Sequence, residues 1–109
     1  MEIIRGSVYW IDLNPTQGSE IQKVRPCVVV GVNPINRERR TVVVIPLSTA
    51  GNIRPPLTVQ VSCDQKKAVA VIDQIRAVDK SRFKERLCEL SLEEMEDIKG
   101  AMRIVLGVE

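Results

Sequence analysis

Two short runs limit the fold more than anything else in the chain: Pro26-Cys27-Val28-Val29-Val30-Gly31-Val32 and Thr41-Val42-Val43-Val44-Ile45-Pro46-Leu47. Both are rich in β-branched residues and apolar at successive positions, so each reads as a strand buried on both faces. Residues 8–13 read as a further strand, stopped by Asn14-Pro15 and a polar loop through Gly18 to Lys23. Residues 57–61 alternate as a strand with one wet face does, and 68–72 and 74–78 are strand-like. Residues 33–40 read as a polar hairpin loop with Arg37, Arg39 and Arg40 at its tip, and 48–56 as a second loop. Five or six short strands favour a small barrel over an open sheet, because closure removes exposed edges.

Only the C-terminal end reads as helix. Ser91 followed by Glu94 is a capping-box pattern, and Met95, Ile98, Met102 and Val105 fall on one face. Acidic residues crowd the first turn and Gly107 stands at the stop. This helix is expected to pack on the barrel as a lid, its methionines in the core or at a dimer contact. The chain of 109 residues is then one domain, mainly β with a C-terminal α-helix.

The most informative count is a zero. A chain without histidine lacks the side chain most used for acid–base work near neutral pH, which excludes Ser-His-Asp, Cys-His and His-based ribonuclease chemistry. Metal ligands are reduced to carboxylates and three scattered thiols, Cys27, Cys63 and Cys88, whose spacing fits neither a disulfide framework nor a zinc knuckle. Each thiol is expected to be a small buried hydrophobe. With no signal-like segment and no apolar run long enough to cross a bilayer, the chain is expected in a reducing cytoplasm.

Charge is unevenly divided. Residues 1–84 carry 13 Lys/Arg against 7 Asp/Glu, and residues 85–109 carry 3 against 7. A basic body suits a polyanionic partner. Aromatics are limited to Tyr9, Trp10 and Phe83, too few for a reader that works mainly by stacking bases on an aromatic platform.

Four blocks of the chain then resemble one family in order. They are Arg5-Gly6-Ser7-Val8-Tyr9-Trp10-Ile11-Asp12-Leu13-Asn14-Pro15-Thr16-Gln17-Gly18-Ser19-Glu20 with Val24-Arg25-Pro26; Ile45-Pro46-Leu47-Ser48-Thr49; Asp73-Gln74-Ile75-Arg76; and the terminal helix with Ile104-Val105-Leu106-Gly107. Together they resemble the MazF/PemK toxins over essentially the whole chain. The resemblance implies an SH3-like barrel closed by a helix, a homodimer, and cleavage of single-stranded RNA at a short motif. It also implies 2′,3′-cyclic phosphate and 5′-hydroxyl ends made by the substrate's own 2′-oxygen, without cofactor or metal, and silencing by an acidic antitoxin protein that folds over the basic groove.

By the same resemblance, Arg25 and Ser48 match the catalytic pair. The family commonly has threonine at the second position; Ser48 keeps the hydroxyl, and Thr49 beside it can share the role. A guanidinium can hold two phosphoryl oxygens as charge develops on them, and it is a poor general base. Ser19 and Glu20 fall in the preceding loop, with Glu20 the candidate acceptor of the 2′-hydroxyl proton. Gln74 is a candidate for reading a base edge and Arg76 for meeting phosphate, while a cross-strand ion pair between Asp73 and Arg76 is the competing structural role. Lys66, Lys67 and the arginines at 37, 39 and 40 read as solvated loop charges that can steer RNA. Two other functions stay open on the same barrel: a gyrase poison acting through the last helical residues, and a binding barrel without catalysis.

Overall fold

The computed structural model describes residues 2–21 and 23–109. Position 22, within the loop expected over 14–23, lies outside the described residues. Strands β1 (Ser7–Asp12), β2 (Val24–Val29) and β3 (Thr41–Ser48) form an antiparallel meander. They are followed by β4 (Thr58–Cys63), β5 (Lys66–Val71), β6 (Arg76–Asp79) and β7 (Phe83–Glu89). The sheet runs in the order β4-β5-β3-β2-β1-β7, with β6 paired to the first half of β3. β3 is long enough to serve β6 through Thr41 to Val44 and β5 through Leu47 and Ser48, and it is shared between the two halves of the sheet. The result is a half-barrel of seven antiparallel strands closed over by a C-terminal helix.

The runs that are apolar on both faces are central, as their composition requires. Val28, Val30, Ile45 and Leu47 point into one core with Val61, Leu90, Met95 and Ile98. Cys27, Val29, Val42 and Val44 point to the other with Tyr9, Ile11, Val78 and Phe83. Tyr9 and Phe83 meet edge to face at 5.3 Å.

Helix α2 (Leu92–Leu106) covers the first core. Ser91 Oγ accepts from Glu94 N, the Glu94 carboxylate returns to Ser91 N, and Gly107 ends the helix in the left-handed conformation at φ 66°. Met95, Ile98 and Ala101 are buried and Met102 and Val105 half-buried. No helix among the described residues is long and apolar enough to cross a membrane.

Four expectations are corrected. Seven strands form among the described residues where five or six are expected, β7 being the addition. Residues 33–40 are not a plain hairpin loop but carry a short helix, α1 (Asn33–Glu38), started by Pro34. Asn36 is buried under it and donates from Nδ2 to the Gly31 carbonyl at 2.9 Å. Lys66 and Lys67 open β5 and are not loop residues. Cys63 and Cys88 are joined as a disulfide across 25 positions, Cα to Cα 5.9 Å, and only Cys27 is a free thiol.

Candidate active site

The site grows from where the meander brings its strand ends. Arg25 lies at the start of β2 opposite Ile11, and Pro26 lies opposite Trp10. Pro26 gives no backbone donor and fixes the entry of the strand, which leaves Val24 and Arg25 exposed at its mouth. Inside the curl of the sheet is a cavity of about 200 Å³ on which Trp10, Arg25, Leu47, Thr49, Cys63 and Lys66 all border. Its floor is apolar and its rim carries two cations, Arg25 and Lys66, with Asp64 beside them. Asp64 and Gln65 both have positive φ, 53° and 65°, and make the two-residue turn between β4 and β5 that swings Lys66 to the rim.

Ser48 and Thr49 divide between two hollows. Thr49 borders the Arg25 cavity and also a shallower hollow of about 160 Å³, while Ser48 borders the shallow one only, with Gln60 and Lys67. Gly51 lets this loop lie against β5, since a Cβ there would run into the Val69 side chain.

The other sequence-derived candidates lie elsewhere. Gln74 sits in a 3-10 turn over Ile72–Gln74, and its side-chain oxygen accepts from Ile21 N at 3.4 Å. Arg76 donates to the Leu13 carbonyl and Arg82 to that of Asp12, both at 3.3 Å. These three side chains therefore hold the two ends of the β1–β2 loop. The ion pairs among the described residues are Arg40–Asp79 and Arg86–Glu89, so the Asp73–Arg76 pair does not form. Glu20 turns into its own loop, its carboxylate accepting from Gln17 N at 2.6 Å, and Ser19 is exposed beside it. Cys27, two residues after Arg25, faces the second core, and burial pushes its thiol up to about 12 against the opposing pull of Arg76.

The family model described as PemK-like, MazF-like toxin of type II toxin–antitoxin system matches residues 4–106. The chain belongs to this family. It is 38% identical to Endoribonuclease MazF of Staphylococcus epidermidis, over 97% of this chain and 92% of that relative. A structure of MazF from Deinococcus radiodurans superposes with a TM-score of 0.89 at 22% identity, covering 99% of both chains. An endoribonuclease from a mycobacterial species, solved in complex with its cognate antitoxin, superposes with a TM-score of 0.78 at 26% identity, over 99% of this chain and 96% of that one.

In this PemK/MazF-family toxin the structure adds Trp10, Asp64 and Lys66 to the surroundings of Arg25. Their place beside Arg25 is not visible in the sequence. Trp10 reads as one more strand residue, and only the structure shows it 36% exposed. Lys66 reads as a loop residue because the apolar run begins two residues later, at Ala68.

Proposed function

We propose that the chain is a toxin endoribonuclease that cuts single-stranded RNA by in-line attack of the substrate's own 2′-oxygen, acts as a homodimer, and is silenced by a cognate antitoxin. The observation that carries this reading is the shared cavity of Arg25, Lys66 and Thr49 in a protein without histidine. In the reaction the 2′-oxygen forms a bond to phosphorus and the bond from phosphorus to the 5′-oxygen breaks. The products are a 2′,3′-cyclic phosphate and a 5′-hydroxyl. Negative charge builds on the non-bridging oxygens, where the Arg25 fork holds two of them and the Lys66 ammonium adds a second positive charge. The Thr49 hydroxyl donates a hydrogen bond to the same phosphate, and Ser48 lines the adjoining hollow where the strand continues.

The 2′-hydroxyl proton goes to a carboxylate, and the departing 5′-oxygen takes a proton from solvent. Glu20 lies in the loop before Arg25 and Asp64 on the cavity itself. The antitoxin role rests on family membership and on the basic excess of residues 1–84, which an acidic segment would cover. The test is cleavage of a long unstructured RNA by the wild type and by Arg25→Ala. Removing one such donor should slow cutting by about 10²- to 10³-fold, and a variant within threefold of wild type removes Arg25 from the mechanism.

A further inference from the structure

All the strands of the sheet path β4-β5-β3-β2-β1-β7 contribute residues to the wall of the Arg25 cavity or to the turns bordering it. The backbone ladder runs without a break from β4 round to β7, and among the described residues those two end strands are not paired with each other. The wall therefore has one seam. The Cys63–Cys88 disulfide crosses it, from the last residue of β4 to the sixth residue of β7. Cys63 borders the cavity directly, and so does Leu87, the neighbour of Cys88. Cys63 is buried and Cys88 half-buried, so Cys88 is the more accessible of the two residues.

We propose that Cys63–Cys88 is a thiol–disulfide exchange site that fixes the width of the Arg25 cavity, so that oxidation raises RNA cleavage and reduction lowers it. The effect on cleavage rests on the ribonuclease reading given above. Reduction needs a dithiol. One of its thiolates attacks Cys88 Sγ, the disulfide breaks, and Cys63 leaves as a thiolate that takes a proton. The second thiol of the reductant then displaces Cys88 and closes the reductant's own disulfide, so that two electrons and two protons reach the protein. A small-molecule disulfide carries out the reverse: the Cys88 thiolate attacks it and expels one thiol, and Cys63 then attacks the mixed disulfide and expels the second.

The sign follows from preorganisation. Thr49 follows β3, which is itself paired with β2, so it is the β4–β5 turn carrying Lys66 that the bonded seam fixes relative to β1 and β2, which carry Trp10 and Arg25. With the seam open the turn and these strands can part, and a misplacement on the order of 1 Å costs up to about 10²-fold in rate. The fold survives reduction, because Val61 of β4 and Leu90 after β7 share one core with Met95 and Ile98 of α2, and Glu94 holds Ser62 N at 2.7 Å.

The experiment equilibrates the wild-type protein with oxidised glutathione or with dithiothreitol and scores the thiol state by alkylation and mass. It then measures cleavage of a long unstructured RNA and acrylamide quenching of Trp10, the chain's one tryptophan, which borders the same cavity. The expected result is cleavage faster by about tenfold when oxidised and stronger quenching when reduced. Cys63→Ala and Cys88→Ala should stay at the reduced level in both buffers, and Cys27→Ala should keep the redox response. A wild type whose rate and quenching are the same in both thiol states overturns the proposal, as does a pair that never oxidises. If neither state cuts RNA, the ribonuclease reading fails, and the quenching alone then decides whether the pair gates the cavity.

Discussion

Glu94 is the residue whose replacement should move stability most cleanly. One carboxylate oxygen accepts from Ser91 N at 2.9 Å and closes the helix cap; the other accepts from Ser62 N at 2.7 Å and ties α2 to β4. Burial works against its charge, but the hydrogen bonds from Ser91 and Ser62 outweigh it and hold the carboxyl below the ordinary glutamate range. Loss of a cap costs about 0.5–2 kcal/mol, and hydrogen bonds to a charged group contribute about 1.5–3 kcal/mol net when well shielded. Glu94 is only half-buried, so solvent screening trims the sum, and Glu94→Ala should cost about 1–2 kcal/mol.

With an unfolding entropy of about 2.1 cal/mol/K per residue, 109 residues give about 0.23 kcal/mol/K, and the melting temperature should fall by about 4–9 °C at pH 7. Glu94→Gln keeps one acceptor and faces the other N–H with an amide donor, so it should lose roughly half of that. The sign with pH follows from the lowered carboxyl. Its contribution is complete above the unfolded value of about 4.3 and is lost as pH falls through the lower folded value. Melting curves followed by circular dichroism should therefore show the gap between wild type and Glu94→Ala narrowing below about pH 4. A gap under 1 °C at pH 7, or one that widens in acid, means that the Glu94 carboxylate does not hold α2 to β4.

Other perturbations separate the roles around the cavity. Thr49→Val should slow RNA cleavage more than Ser48→Ala, because only Thr49 borders the cavity that holds Arg25; steady-state rates decide, and the reverse order moves the hydroxyl contact to Ser48. Glu20→Gln and Asp64→Asn compete for the proton-acceptor role, which is worth about 10²- to 10⁴-fold. Whichever variant loses less than about threefold is dropped from that role. Cys27, buried and with its thiol pushed up to about 12, should resist iodoacetamide in the native protein at pH 8 and react fully in denaturant, as counted by mass.

What the sequence made legible follows the strength of each local signal. The Val-rich strands β2 and β3 could be read because burial on both faces leaves no room for polar residues, and α2 because its cap residues and apolar stripe agree. β7 was missed because Phe83-Lys84-Glu85-Arg86-Leu87-Cys88-Glu89 places charge at four of its positions and pairs with β1 through register shifts, which hides any alternation. α1 was hidden because its six residues include only one large apolar side chain, Ile35, and so show no apolar stripe. The disulfide could not be read from spacing, since Cys63 and Cys88 meet only when the sheet has curled far enough to bring its ends together.

The candidate site was legible in part, and for a related reason. Arg25, Ser48 and Thr49 sit in blocks whose family resemblance is local in sequence. Trp10 and Lys66 reach the same cavity only through strand register. Gln74 and Arg76 have the chemistry of RNA contacts but are engaged here by the backbone of the β1–β2 loop, a use that depends on neighbours some fifty to sixty positions away.

The reaction itself can be read from the chemistry of the RNA ends. A long unstructured RNA incubated with the purified protein in excess EDTA should be cut at a recurrent short motif, leaving 2′,3′-cyclic phosphate and 5′-hydroxyl ends that disappear with Arg25→Ala. RNA left intact, or cuts that leave 5′-phosphate ends or persist in that variant, would contradict it.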